Sequence, residues 1–318
     1  MSFSSKTKNE LARKTSEDKC CQLAELSGLI HVSGSIQLAG NRKVNIKITT
    51  ENPAVARLVF TLFKKSLNIH TEVMARKHKV LKKGYTYMIV LNDAEEILRK
   101  LEIFSDHNQL LGINQQVPVE LLKDECCKRA YLRGVFLGGG SVSDPEKTYH
   151  FEYVTHDFEY AESLKEMING YGLNSKVIQR KNNFIVYLKE GDQIVDILNI
   201  IGAHNALLDL ENVRIVKDVR NKVNRLVNCE TANLNKTVEA ALRQMGNIEY
   251  ILNTSGLSYL PENLREIAEI RLEHSEASLA ELGKMLNPPV GKSGVNHRLR
   301  KIEKLAEKLK SDRGELDD

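Results

Sequence analysis

No stretch of this chain is apolar for long enough to cross a bilayer. The opening residues, MSFSSKTKNELARK, lack the apolar core of a signal peptide, so a cytoplasmic protein without a membrane partner is expected. The Cys-x-x-Cys spacing common in metal sites is also missing. The five cysteines fall as two adjacent pairs, Cys20-Cys21 and Cys126-Cys127, and the single Cys229. Neighbours on a helix point about 100° apart, so neither pair is expected to share one ion. Buried, reduced thiols and no metal are the expectation. A strong charge excess is lacking: 46 Lys and Arg oppose 42 Asp and Glu, for a net +4. Bulk charge therefore neither demands nor excludes nucleic acid, and only local charge can decide. Two glycine-rich strings fail as phosphate cradles. Gly291-Lys292-Ser293 ends like a phosphate-binding loop, but Leu286 stands where its first glycine belongs. Gly138-Gly139-Gly140 follows a helical pattern where a dinucleotide fingerprint needs a strand. No cofactor and no small-molecule substrate are expected.

What is present is a string written twice. Residues 20–35 read CCQLAELSGLIHVSGS and residues 126–141 read CCKRAYLRGVFLGGGS, with seven of sixteen positions identical at an offset of 106. Two copies are too few for a solenoid and indicate a duplicated unit folded as a pseudo-twofold pair. Small residues recur every fourth position: Ala24, Gly28 and Val32, then Ala130, Gly134 and Gly138. That spacing places them on one helix face. Glycine inside a helix costs about 1 kcal/mol relative to alanine, and close approach of a partner helix is the natural offset. The two copies are expected to pack through these faces. Downstream, VNIKITT reads as a strand, PAVARLVFTLFKKSL as an amphipathic helix, HTEVMARK and YTYMIVL as a hairpin around Lys82, Lys83 and Gly84, and DAEEILRKLEI as a helix. The second copy repeats this order through YHFEYVT, FEYAESLKEMINGYG, SKVIQRK, NNFIVYLK and DQIVDILNIIG. The expected class is α+β, a duplicated αββαββα domain with four antiparallel strands per unit.

LSGLIHVSG (26–34) and LRGVFLGGG (132–140) resemble the LAGLIDADG motif of homing endonucleases. That resemblance implies motif helices at the pseudo-twofold interface and an acidic metal ligand at the penultimate motif position. Here that position holds Ser33 in one copy and Gly139 in the other. Serine is a poor ligand for the ions of phosphodiester hydrolysis and glycine offers none. Asp144, five residues beyond Gly139, sits in a Ser-Asp-Pro turn signal and is a weak substitute. The expectation is a retained scaffold, no catalytic residues and no enzyme activity.

The chain changes character near residue 225. NRLVNCETANLNKTVEAALRQM is polar and Asn-rich, with a linker expected over 226–236 and helix from about Thr237. NTSGLSYLPENL reads as a loop and LREIAEIRLEH as a helix. Ser278 followed by Glu281 is a capping box opening SLAELGKML, and Pro288-Pro289 ends that helix. A second helix starts near Ser293 with an apolar stripe of Val295, Leu299, Ile302, Leu305 and Leu309. A short helix, a tight turn and a basic helix form a helix-turn-helix pattern over about 277–310. Gly291 to Lys301 holds Lys292, Arg298, Arg300 and Lys301 and no acid, which supplies the local charge. Arg298 suits guanine and Asn296 adenine by bidentate hydrogen bonds. Lys292, Ser293 and Lys301 suit phosphate, and His297 lies in the same segment.

A degenerate LAGLIDADG-like repeat joined to a helix-turn-helix resembles the WhiA family of bacterial DNA-binding regulators across nearly the whole chain. The strings SSKTKNELAR, CCKRAYLRGVFLGGGSVSDP, NRLVNCETANLNKT and SLAELGKMLNPPVGKSGVNHRLRKI carry the resemblance. It implies a transcription-factor-like role in sporulation, cell division or chromosome segregation. The expected domains are 1–225, with repeats at about 20–112 and 126–215, and 237–318. Double-stranded DNA is the expected partner, with a second regulatory protein as a further one, and the expected location is the nucleoid. Arg76, Lys77, Lys79, Lys82 and Lys83, with Lys176, Arg180 and Lys181, either line a saddle on the DNA backbone or serve as hairpin-tip charges that prevent edge pairing. Two other readings remain: a metal-dependent endonuclease with unusual ligands, and a protein-binding adaptor.

Overall fold

Helical and strand elements follow one another as the residue periodicities require. A computed structural model of the chain describes residues 1–38, 43–77, 84–107 and 110–313. The elements are α1 (Phe3–Leu11), α2 (Lys19–Ser33), β1 (Gly34–Leu38), β2 (Val44–Thr50), α3 (Pro53–Leu67), β3 (Glu72–Lys77), β4 (Tyr85–Leu91), α4 (Glu95–Lys100), β5 (Phe104–His107) and β6 (Leu110–Ile113). The second repeat holds α5 (Glu125–Gly139), β7 (Gly140–Val142), β8 (Phe151–Thr155), α6 (Phe158–Asn169), β9 (Lys176–Arg180), β10 (Asn183–Leu188) and α7 (Gly191–Ile201). Then come α8 (His204–Ser255), α9 (Glu262–Glu273), α10 (Leu279–Met285) and α11 (Lys292–Asp312). Two compact units result, Met1–Lys217 and Asp218–Asp318.

In the first unit the duplication is explicit. One antiparallel sheet runs β1-β2-β4-β3 and the other β7-β8-β10-β9. Matching caps start the helices that follow the second strands. Asn52 accepts from the Ala54 amide at 2.8 Å ahead of Pro53, and Asp157 accepts from the Tyr160 amide at 2.8 Å. Each sheet turns one face to a shared core. Val44, Ile46, Ile48, Ile89 and Leu91 are buried in the first, and Phe151, Tyr153, Val186 and Leu188 in the second. Three elements lay outside the sequence reading: α1, which buries Leu11, and the β5–β6 hairpin with its Phe104–Ile113 pairing.

The α2–α5 pair forms through the small faces named from the sequence. Ala24 and Ala130 are buried, and a Cβ on Gly28 would stand 2.5 Å from the Tyr131 carbonyl oxygen. A Cβ on Gly134 would overlap the Glu25 carbonyl oxygen, and one on Gly138 would stand 2.5 Å from Val32 Cγ2. The glycines thus exist because the two backbones touch. Across the same contact Arg133 donates to both Glu25 carboxylate oxygens, at 2.9 and 2.8 Å. Burial pushes the Glu25 carboxyl up, and the guanidinium partly offsets this.

Two expectations change here. Residues 226–236, read as a linker with helix beginning near Thr237, are helical and exposed inside α8. Asparagines weaken a helix without breaking it, and no proline or glycine interrupts Cys229–Lys236. The cysteines, expected buried, are divided: Cys21 and Cys127 are buried, whereas Cys20, Cys126 and Cys229 are exposed.

Candidate nucleic-acid interface

The helix-turn-helix of the second unit is built by local chemistry. Ser278 Oγ accepts from the Glu281 amide at 3.3 Å, and Glu281 Oε2 accepts from the Ser278 amide at 2.8 Å. The Ser278 amide, and then its hydroxyl, hold the Glu281 carboxyl below its usual range. The chain leaves α10 through Asn287, Pro288 and Pro289, then returns so that the Val290 amide donates to the Gly283 carbonyl at 2.9 Å. A Cβ on Gly283 would overlap the Val290 carbonyl oxygen. The turn is therefore tight because position 283 has no side chain. Glu266 of α9 braces it, accepting from the Asn287 amide at 2.8 Å.

Helix α11 starts at Lys292, one residue before the sequence estimate, and its inner face follows the predicted stripe as far as Ile302 and then adds Ala306. Val295, Leu299, Ile302 and Ala306 are buried against Ile248 and Ile251 of α8, Leu264, Ile267 and Ala268 of α9, and Leu282 and Leu286. Leu305 and Leu309 are only partly buried. At 100° per residue, the opposite face carries Ser293, His297, Arg300, Lys301 and Lys304. All five are exposed, as is Lys292 at the helix start.

The two residues assigned to base edges are placed differently. Arg298 Nη1 donates to the Asn263 carbonyl at 3.3 Å and lies 3.9 Å from Glu266 Oε2, with the side chain 22% exposed. Position 298 falls about 60° from the centre of the buried stripe, so its side chain reaches α9. Asn296 is half-buried and, with Lys236, Gln244, Arg271 and Ser278, lines a cavity of about 370 Å³. Burial lowers the Arg271 pKa, and its Nη1 donates to the Ala277 carbonyl at 2.6 Å. Lys304 was missed in the sequence because Glu303 ends the acid-free run, although Arg300 and Lys304 keep the four-residue spacing of one face.

In the first unit, strand register puts Arg76, opposite Thr86, on the sheet face away from Ile89 and Leu91, with Lys77 on the other parity. Arg180 and Lys176 lie on the outer parity of the second sheet, opposite Asn183 and Tyr187. Lys181 is an exposed turn residue with φ 56°. Lys79, Lys82 and Lys83 lie outside the described residues. These outer faces are mixed in charge. Glu72 shares the parity of Arg76, and Glu152 shares that of Lys176, accepting from Ser141 Oγ at 2.9 Å and lying 3.1 Å from His150 Nε2.

Ser33 and Gly139 are the last residues of α2 and α5. The Ser33 hydroxyl donates to the Leu29 carbonyl at 2.6 Å. A Cβ on Gly139 would stand 2.8 Å from the Val154 carbonyl oxygen, so a carboxylate side chain has no room there without movement. Asp144 is spent on its turn, accepting from the Glu146 amide at 3.1 Å. His31, inside the first motif, stacks on Tyr160 with ring centroids 3.8 Å apart, and burial lowers its pKa to about 4.

Known proteins match this arrangement throughout. Family models describe residues 19–104 as a WhiA N-terminal LAGLIDADG-like domain, 128–220 as a WhiA LAGLIDADG-like domain and 223–306 as a WhiA C-terminal HTH domain. A protein of Alkaliphilus oremlandii named probable cell division protein WhiA is 61% identical over 97% of this chain and 98% of its own length. A namesake from Alkaliphilus metalliredigens is 58% identical over 97% and 98%. The crystal structure of full-length WhiA from Thermatoga maritima superposes with a TM-score of 0.61 at 28% identity, covering 97% of this chain and 99% of that one. The duplicated sheet-bearing unit, the glycine-mediated α2–α5 pair and the C-terminal helix-turn-helix together make this chain a member of the WhiA family.

Proposed function

We propose that this protein binds double-stranded DNA in a sequence-specific way and regulates transcription, with α11 entering the major groove. The observation that carries this reading is the outer face of α11. Ser293, His297, Arg300, Lys301 and Lys304 are exposed opposite a buried apolar stripe, on a helix fixed by a capped α10 and a turn closed at Gly283. Such a face presents donors to base edges and phosphates at once. Arg300 takes the guanine-reading role, because Arg298 is engaged with α9. Lys292, Ser293, Lys301 and Lys304 serve the backbone, and Asn296 helps set the helix against α8.

The duplicated unit acts as a platform and not as a nuclease. Ser33 and Gly139 leave the ends of α2 and α5 without the paired carboxylates that metal-assisted phosphodiester cleavage uses. Arg76, Arg180, Lys176 and Lys181 add only weak, phosphate-directed attraction, because Glu72 and Glu152 share the same faces. The relatives' name, probable cell division protein, supports cell division as the regulated process, with the nucleoid as the site of action. Genome-wide immunoprecipitation of bound DNA tests the reading. Enrichment of sites sharing a short motif, reproduced by footprinting with the purified full chain and without strand cleavage in magnesium or manganese, is expected. Enrichment absent above background, or cleavage at the bound sites, overturns it.

A further inference from the structure

Helices α2 and α5 meet at their N-terminal ends as well as through their glycines, and each offers a Cys-Cys pair there. Cys20 and Cys21 follow Lys19, the first residue of α2; Cys126 and Cys127 follow Glu125, the first residue of α5. The four Sγ atoms all lie within 4.8 Å of one another. Among the described residues this is the one group of three or more His, Cys, Asp or Glu side chains arranged to hold an ion. One helix cannot close such a site, because adjacent side chains diverge by about 100°. Two crossing helices can, and here α2 and α5 bring both pairs together. Two of the sulfurs belong to buried residues and two to exposed ones, which leaves a path from solvent.

We propose that Cys20, Cys21, Cys126 and Cys127 bind one structural zinc ion in a tetrahedral, all-sulfur site that bolts the two repeats together. With Zn–S bonds of about 2.3 Å, the edges of an S4 tetrahedron measure about 3.8 Å. Four sulfurs within 4.8 Å need to close by about 1 Å at most. Four soft donors with no oxygen or nitrogen among them favour zinc over calcium, magnesium or manganese. Binding forms four Zn–S bonds, sends four thiol protons to solvent and leaves the site with a net charge of −2. The N-terminal ends of α2 and α5 offset part of that charge through their dipoles, and Lys19 adjoins Cys20, whereas Lys128 is paired with Glu125 at 3.7 Å. The site lies at the end of the helix pair opposite Ser33 and Gly139, so it is separate from the positions of the endonuclease acids.

The test is metal analysis of the full chain, expressed in zinc-supplemented cells and purified with reductant under argon. About one zinc per chain is expected. The Cys20→Ser/Cys126→Ser variant, altered at the two exposed positions, should keep its circular dichroism and lose the zinc. Adding cobalt(II) to the stripped wild-type protein should give the intense visible bands and the thiolate-to-cobalt charge transfer of a tetrahedral S4 site, which is read without any variant. Wild-type protein free of zinc with all thiols open to alkylation, a mass lowered by formation of a disulfide within the cluster, or zinc retained by the double variant would each overturn the proposal.

Discussion

The sharpest consequence of the α11 geometry concerns three cations and a fourth that only resembles them. Arg300, Lys301 and Lys304 are exposed on the face opposite Val295, Leu299, Ile302 and Ala306, so replacing all three with alanine removes charge without opening the core. Each phosphate neutralised by a cation contributes about 0.9 to the slope of log affinity against log salt. If all three contact DNA, the triple variant lowers that slope by up to about 2.7. Between 50 and 200 mM salt that is a difference in salt sensitivity of roughly 40-fold. If Arg300 reads a base, the loss is nearer 1.8 in slope, with relaxed preference at one position worth about 1–3 kcal/mol. Arg298→Ala is the control. Its hydrogen bond to Asn263 is long at 3.3 Å and its distance to Glu266 is 3.9 Å. Its removal should cost at most about 1 kcal/mol of stability and leave base preference intact. Fluorescence-anisotropy titrations on a cognate and a scrambled duplex at several salt concentrations measure both. A triple variant with an unchanged slope, together with an Arg298→Ala variant that loses sequence preference, would refute the assignment of faces.

Two further perturbations probe the frame behind that face and the core of the first unit. Gly283→Ala drives a methyl group into the Val290 carbonyl, so the turn must open. Overpacking of this kind costs about 1–3 kcal/mol, seen as a lower Tm and weaker DNA binding, and a variant unchanged in both would show that the turn has slack. His31 gives a pH signature. Its folded pKa of about 4 lies below the unfolded value of about 6.5. The neutral imidazole is the form the fold holds, so its contribution is fully present above about pH 6.5 and is lost as pH falls towards 4. The loss amounts to as much as about 3 kcal/mol. His31→Phe keeps an aromatic ring on Tyr160 and removes the titrating group, so denaturant titrations at pH 4, 5 and 6.5 should show a flatter profile than the wild type. Parallel profiles would mean that His31 does not titrate with unfolding.

Much of this was legible because it depends on short-range rules. The period of four in Ala24-Gly28-Val32 and Ala130-Gly134-Gly138 speaks of backbone contact wherever it occurs, and the glycines do meet carbonyl oxygens there. The Ser278–Glu281 box and the prolines after α10 are likewise local, and both sit where the pattern requires. What the sequence hid depends on direction in space. Arg298 and Arg300 are two positions and about 160° apart on one helix. No composition argument separates them until the buried stripe fixes which way α11 faces. The cysteines make the same point more strongly. Two adjacent thiols on one helix are a poor chelate, and a spacing rule that looks only along the chain stops there. The duplication changes the answer, because it supplies an equivalent pair from a second helix, and the glycine contact brings that helix close enough for all four sulfurs to meet. A repeat should therefore be read across its copies as well as within them. In this chain the residues that let the two helices touch are also the residues that bring two unpromising motifs into one four-sulfur cluster.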